Sequence, residues 1–433
     1  MNSDITLIFN GLTGALLNLD KKAKTLYDQI SKGNQPMLDY PDAAVDIEKL
    51  KKHRLVIDDD VDELEYIKVM YRLQMFQTDL LTLTIAPTLA CNFRCTYCYE
   101  TQQSNRITPD IQAKIIEFIE QRLQSTNTLI IMWYGGEPLL EKKILEEMSK
   151  QMMADCKKYG VHYNAGIVTN GYLLDKETAH TLREYGIASA QVTLDGPKEI
   201  HDARRMLING KGTFDKILAN LTDVIDIIPL IKIRVNIDQM NVEKIGELFD
   251  TFSDHGLQQK IQIYYAPVVH TTKVCQDMVD ADFSNNAFSN VEVELFKTTM
   301  VKGYKMLKYP QPMLGGCAAL HLNSFLLDPS GNIYKCWKTI GIEEERLGTI
   351  GAPIEFTKNN LKWLSWDPFV FKKCNTCNLL PVCMGGCPYK FIMKQVQEPE
   401  CMGWKKNIQE MIQLFYQSRH SQNGAFKGDI QPK

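Results

Sequence analysis

From Leu81 to Ala266 the chain alternates short apolar runs with longer stretches whose apolar residues recur every three to four positions. The runs Leu81–Thr88, Leu129–Tyr134, Ala165–Thr169, Ser189–Leu194, Ile231–Ile237 and Ile261–Ala266 read as strands. Between them, Pro109–Gln124, Glu141–Tyr159, Lys176–Tyr185, Phe214–Ile228 and Val242–His255 read as helices. This alternation predicts βαβ units and a parallel sheet, whose strands gather function at their carboxyl ends. Upstream the pattern differs. Ile5–Asn10 and Ala15–Leu19 flank Gly11-Leu12-Thr13-Gly14 and predict a β-hairpin. Lys21–Ser31 has helical spacing and stops at Gly33 and Pro36. A second helix, about Ala43–His53, precedes a short strand at Leu55–Ile57, and Tyr66–Gln77 reads as a linking helix. Near the far end Met402–Tyr416 is helical in spacing, while Ser418–Lys433 is polar and expected to fray. The expected divisions are residues 1–76, 77–300, 301–417 and a tail, 418–433.

Composition narrows the class. A chain of 433 residues with 44% hydrophobic and 23% charged residues is ordinary for a globular protein of two or three domains. The net charge of −3 gives no sign of a nucleic-acid partner or an anionic membrane surface. Apolar runs such as Leu129–Tyr134 are too short to span a bilayer, and the first residues do not look like a signal peptide. The acidic run Asp58, Asp59, Asp60, Asp62, Glu63 and Glu65 reads as a solvated face, or as a dock for a basic peptide. Twelve cysteines in clustered spacings point to metal rather than to disulfides, and hence to a reducing, cytoplasmic setting.

The densest chemistry is Cys91-Asn92-Phe93-Arg94-Cys95-Thr96-Tyr97-Cys98, directly after the apolar run that reads as the first strand of the alternating series. Thiolates are the usual ligands of iron–sulfur clusters. Three on one tight loop hold three irons of a [4Fe–4S] cube and leave the fourth open to a substrate or cofactor. A zinc loop is the competing reading, but it would carry a second cysteine pair close by.

The C-x3-C-x2-C spacing, with Tyr97 before the third cysteine, resembles the radical S-adenosylmethionine (radical SAM) superfamily. The resemblance implies a partial (β/α)6 barrel. Its open iron chelates the amino and carboxylate groups of SAM, and one electron cleaves SAM to methionine and a hydrogen-abstracting 5′-deoxyadenosyl radical. Gly135-Gly136-Glu137-Pro138 ends the second strand and looks like the family's contact to the SAM amino group. Two glycines permit close backbone approach. Thr169-Asn170 and Thr193 with Asp195, at the next two strand ends, fit the family's ribose and carboxylate contacts. Arg205, preferred here over Arg204, suits the SAM carboxylate as a bidentate partner. Asn236 faces either the site or the core, and Ala266-Pro267-Val268 is a plausible adenine contact. The hairpin, helices and strand of residues 1–76 resemble the winged-helix modules that bind precursor peptides, with a structural cap as the plainer reading.

A second constellation follows: Cys317, Cys336, Cys374, Cys377, Cys383, Cys387 and Cys401. Its spacing, with Gly331 before Cys336, is similar to the SPASM domain of peptide-modifying radical SAM enzymes. The resemblance implies two auxiliary [4Fe–4S] clusters, the first on Cys317, Cys336 and Cys387, the second on Cys374, Cys377, Cys383 and Cys401. Seven ligands leave the first cluster one short. His321 and the remote Cys275 are candidates for the place; otherwise an open iron would bind a substrate thiolate. Cys156, on a helix face, reads as a small core residue.

Three functions remain to be weighed. The first is maturation of a ribosomally made precursor peptide with a leader sequence, forming a Cys-to-carbon thioether or another crosslink, with flavodoxin or ferredoxin as electron donor. The second is anaerobic sulfatase maturation. That group carries an Asp after the cysteine of the G-x4-C element, where this chain has Trp337. The third is a non-catalytic iron–sulfur carrier with a degenerate barrel, which the intact Gly135–Pro138 motif disfavours. No general base stands out, since Glu100, Asp238 and Tyr265 have no motif support.

Overall fold

The computed structural model describes residues 6–33, 43–100, 103–269, 283, 285–304, 306, 308–394 and 396–420. Cys275, Pro36 and the tail beyond His420 lie outside them. Six parallel strands follow one another across the main sheet: β3 (Leu80–Ile85), β4 (Thr128–Trp133), β5 (His162–Thr169), β6 (Ile187–Thr193), β7 (Leu230–Ile237) and β8 (Ile261–Pro267); β1 and β2 belong to the hairpin below. Each begins and ends within a few residues of its expected bounds. Their alternate residues pack in the core: Leu81, Leu83, Ile85, Leu129, Ile131, Trp133, Ile233 and Val235 share one face of the sheet and are all buried. The connecting helices are α4 (Pro109–Leu123), α5 (Lys142–Tyr159), α6 (Lys176–Glu184), α7 (Lys198–Arg204) with α8 (Phe214–Val224), and α9 (Ile245–Asp254); α1–α3 precede them. Local chemistry sets their ends. Thr108 caps α4 ahead of Pro109, Asp175 accepts from Thr178 N at the start of α6, and Gly160, at φ 69°, turns the chain out of α5.

The sheet does not stop where the six units end. Beyond α10 (Asn285–Val301), the short strands β9 (Ser324–Leu327), β10 (Asn332–Tyr334) and β11 (Gly348–Thr349) continue it in the order β11-β10-β9-β3-β4-β5-β6-β7-β8. β9 runs parallel to β3, with Thr82 opposite Ser324 and Ile85 opposite Leu327. The cysteine-rich segment therefore shares a sheet with the barrel rather than hanging from it. After β11 come α11 (Lys358–Leu364), α12 (Lys372–Asn375), α13 (Leu380–Cys383), α14 (Pro388–Lys394) and α15 (Trp404–His420). Asn407 on α15 donates to Ser289 O and to Glu292 on α10, tying the two helices across the expected boundary at residue 300.

Residues 6–76 hold the hairpin β1 (Thr6–Phe9) and β2 (Leu16–Leu19), then α1 (Lys21–Ser31), α2 (Ala43–Lys52) and α3 (Glu63–Phe76). The strand expected at Leu55–Ile57 does not form, so the described part departs from a winged-helix module. The chain turns sharply at Arg54, at φ 55°. The carbonyls of His53 and Arg54 then accept from the turn side chains Thr13 and Asn10 instead of joining a ladder. The hairpin is fastened to the far end of the chain: Tyr309 donates to Gly14 O at 2.7 Å, and Asn18 donates to Tyr416 Oη at 3.0 Å. Tyr71 on α3 donates to Trp366 O at 2.8 Å.

Candidate active site

The loop after β3 is pinned against residues 204–208. Arg94 N donates to Met206 O at 2.8 Å, Thr96 N to Arg204 O at 3.0 Å, and Ile208 N to Asn92 O at 3.0 Å. Phe93 is fully buried beneath it, edge-on to Tyr172. This leaves Cys91, Cys95 and Cys98 facing a common cavity of about 240 Å³. Burial pushes the thiols of Cys91 and Cys98 up to about 12 and raises that of Cys95. They ionise there only with compensating positive charge, which a bound metal supplies.

The glycines at the end of β4 serve a contact the sequence did not reveal. A Cβ on Gly135, whose φ is 111°, would stand 2.4 Å from Thr88 O, and one on Gly136 would stand 2.2 Å from Ala90 O. They let β4 close on the backbone of the cysteine loop, sealed by Gly136 N to Thr88 O at 3.2 Å and Glu137 N to Ala90 O at 2.9 Å. Glu137 was expected to face the ligand. It is instead wholly buried behind the cavity, and its carboxylate accepts from Leu139 N at 3.0 Å, Thr169 Oγ1 at 2.8 Å and Asn170 N at 2.7 Å. Its work is to lock the end of β4 to the end of β5. Asn170 then reaches back, donating to Asn92 Oδ1 at 2.7 Å within the cysteine loop.

Asp195 is likewise set back, fully buried. Oδ1 accepts from Asn236 N at 2.9 Å, and Oδ2 is hydrogen-bonded by Tyr97 Oη. Tyr97 in turn accepts from Arg205 Nη1 at 2.8 Å and Asn236 Nδ2 at 3.1 Å. The two arginines separate cleanly. Arg204 is committed to Asp238 at 2.9 Å and Asp195 at 3.6 Å. Arg205 lines the cavity, has no carboxylate partner among the described residues, and leaves a buried Nε without a hydrogen bond. Thr169, Asn170, Thr193 and Asn236 also line the cavity, as do Pro267 and Val268.

Several lining residues went unread in the sequence. Tyr99 and Tyr134 meet hydroxyl to hydroxyl, and Trp337 packs on the Tyr134 ring at 4.4 Å between centroids. Tyr99 directly follows Cys98 and Tyr134 directly precedes Gly135, so motif adjacency was the available signal. Arg234, held by Asn236 Oδ1 at 2.8 Å, and Gln191, held by Tyr264 at 2.6 Å, complete the wall. Of the three unsupported acid–base candidates, Glu100 lines the cavity, with Oε2 buried and unpaired and its carboxyl pushed up by burial. Asp238 is paired with Arg204, and Tyr265 is bonded to Thr299 at 2.5 Å.

The remaining cysteines fall into two sets. Cys317, Cys336 and Cys387 lie within electrostatic reach of one another. Cys374, Cys377, Cys383 and Cys401 surround a cavity of about 210 Å³. Among the described residues no three potential ligands converge on one metal-ion position. The second set encloses a volume rather than a point, which suits a cluster better than a single zinc ion. His321 Nε2 meets Gly315 O at 2.9 Å, so only its Nδ1 could serve as a ligand. Cys156 is buried in the core on α5.

Comparison with known proteins agrees with this geometry. Residues 85–252 match the Radical SAM superfamily. The Fe-coproporphyrin III synthase of Methanosarcina barkeri is 29% identical over 170 residues, 39% of this chain and 40% of that protein. The cysteine-type anaerobic sulfatase-maturating enzyme of Clostridium novyi is 25% identical over 357 residues, 71% of this chain and 87% of that protein. Among solved structures, anSMEcpe with bound AdoMet and Kp18Cys peptide superposes with a TM-score of 0.62 at 18% identity, covering 79% of this chain and 99% of that one. Streptococcus suis SuiB bound to precursor peptide SuiA gives 0.55 at 14% identity, covering 92% and 97%.

Proposed function

We propose that this chain, a radical SAM enzyme of the SPASM type, matures a ribosomally made precursor peptide by joining a peptide cysteine to a carbon of another residue. The observation that carries the reading is the first auxiliary set. It offers three thiols, Cys317, Cys336 and Cys387, within electrostatic reach of one another, while the other described cysteines line the two cavities or the core, so this set has one cysteine fewer than a closed cluster and leaves a place for a substrate thiolate. Trp337 supports the same choice, because an aromatic face lines the cavity where sulfatase-maturing relatives carry an Asp.

Cys91, Cys95 and Cys98 would hold the SAM-binding [4Fe–4S] cluster, and the buried, unpaired Nε of Arg205 fits the SAM carboxylate. Bound there, the two cofactors would supply a hydrogen-abstracting carbon radical, and a cluster on the first auxiliary set would supply a thiolate-binding iron and an electron sink. The protein's own part is placement. Asp195 and Asn236 fix Tyr97, Tyr97 fixes Arg205, and the Glu137 carboxylate fixes the strand ends around them. Tyr99, Tyr134 and Trp337 wall the cavity and keep water from the reacting carbon. Residues 6–76 would bind the leader, and the cytoplasm is the expected compartment. No described helix is long and apolar enough to cross a membrane.

Anaerobic reconstitution with SAM, dithionite and the short peptide encoded beside the gene tests the reading. Loss of two hydrogens from the peptide with its thiols blocked supports it. A peptide that loses two hydrogens and keeps its thiols free points to a carbon–carbon crosslink. Conversion of Cys or Ser to an aldehyde points to sulfatase-type maturation. Full iron content without deoxyadenosine refutes catalysis.

A further inference from the structure

The four thiols of the second set run from the buried Cys374 through the half-buried Cys377 and Cys383 to the exposed Cys401, and the cavity they enclose is lined by Lys373, Lys405 and Glu400, the last paired with Lys390 at 2.7 Å. Cys401 is exposed, and so are Lys372, Lys373, Lys405 and Lys406. Lys373 and Lys405 line the cavity that the thiols enclose, and Lys405 Nζ approaches Cys377 Sγ at 3.5 Å. Lys373 is paired with Glu398 at 2.7 Å. Among the described residues Lys372, Lys405 and Lys406 have no carboxylate partner. A local excess of positive charge thus sits on a chain whose net charge is −3. Cys91, Cys95 and Cys98, by contrast, face a cavity that substrate must occupy.

We propose that this lysine rim is the docking surface for a small acidic one-electron carrier, a flavodoxin, which delivers electrons through the second cysteine set. The proposal rests on the reading of Cys374, Cys377, Cys383 and Cys401 as cluster ligands. Complexes between electron carriers and their partners are small and transient. Complementary charge speeds their encounter by roughly 10- to 1,000-fold, and salt suppresses it. In the step itself, flavodoxin hydroquinone anion gives up one electron and becomes the neutral semiquinone. The cluster takes that electron, passing from the 2+ to the 1+ state, and no proton moves. Lys405, donating to a ligand sulfur, favours the more negative, reduced cluster.

The test mixes holoenzyme of verified iron and sulfide content with a purified acidic flavodoxin hydroquinone in a stopped-flow instrument and follows semiquinone absorbance at several ionic strengths. The double variant Lys372→Glu/Lys406→Glu is expected to slow the reaction about tenfold or more at low salt and to converge on wild type at high salt. Its reduction by dithionite, a small reagent with no docking surface, stays unchanged. Lys372→Gln/Lys406→Gln, which removes charge without reversing it, falls between and covers the case in which the reversal fails to load iron. Unchanged rates and salt dependence in both variants overturn the proposal. Peptide modification with dithionite is scored separately, so docking can fail while the maturase reading stands, and the reverse.

Discussion

His201 is wholly buried, yet its two ring nitrogens are both engaged. Nδ1 accepts from Asp195 N at 3.3 Å, so Nε2 carries the proton and donates to Thr213 Oγ1 at 3.1 Å. Thr213 passes the bond on to Arg205 O at 2.8 Å. A second proton on the ring would cost the Asp195 bond and bury a cation beside Arg205 and Arg204. Burial, then those two arginines, accordingly hold the imidazole well below its usual range. The sign follows from linkage. The unfolded chain takes up a proton near pH 6.5 and the folded chain does not, so this residue's stabilisation is present above pH 6.5 and is lost as pH falls. Between pH 7.5 and 5.5 one such histidine removes about 1.4 kcal/mol. The perturbation is His201→Gln, which keeps a donor toward Thr213 and cannot titrate in this range. Urea unfolding of the metal-free protein at each pH gives the gap between wild type and variant, from which the other titrating groups cancel. The gap should narrow by about 1.4 kcal/mol on acidification. A gap constant to within about 0.3 kcal/mol, well inside that figure, would show that His201 protonates in the folded state and that the Asp195–His201–Thr213 chain is misread.

Glu137→Gln places an amide N–H against Leu139 N or Asn170 N, both donors, and should destabilise the metal-free protein by about 1–3 kcal/mol; a loss under about 0.5 kcal/mol in urea unfolding would contradict the role of Glu137 in joining the ends of β4 and β5. Arg205→Ala should weaken SAM binding, measured by equilibrium dialysis of reconstituted protein, by about 30-fold or more, the value of a buried charge-assisted pair, while unfolding free energy changes far less. Arg204→Ala should do the opposite, costing about 3–5 kcal/mol of stability by stranding Asp238 and Asp195. Gly136→Ala drives a methyl into Ala90 O, and iron analysis after reconstitution should find the protein short by about one cluster, with the second cysteine set still filled.

The barrel was legible because parallel strands announce themselves: runs such as Leu129–Tyr134 are apolar throughout, and helices of clear period separate them. The order of motifs at the strand ends was legible for the same reason. Side-chain direction was not. Glu137 and Asp195 sit at the right strand ends but point behind the cavity, because buried backbone N–H groups there need a carboxylate more than the ligand does. Arg204 and Arg205, adjacent in sequence, take opposite roles set by Asp238, which no local pattern connects to them. β9 escaped notice because Ser324–Leu327 is four residues long, and its partner β3 is remote in sequence. No strand forms at Leu55–Ile57, where Leu55 N turns back to donate to Leu50 O at 2.9 Å and so closes the end of α2.

The pairing of β9 with β3 bears on the order of events during synthesis. β3 leads into the first cysteine loop, and its outer edge stays bare until residue 324 has left the ribosome. A bare strand edge recruits other chains. The nascent barrel is therefore the aggregation-prone stage, and the edge of β3 beside the cysteine loop is covered only when Ser324–Leu327, near the start of the last quarter of the chain, arrives. Iron offered early meets a mobile loop; iron offered late meets a formed one. Co-expression of the iron–sulfur assembly machinery, together with slower growth that lets chains finish before they meet, should raise the yield of loaded protein more than any trimming of its C-terminal half.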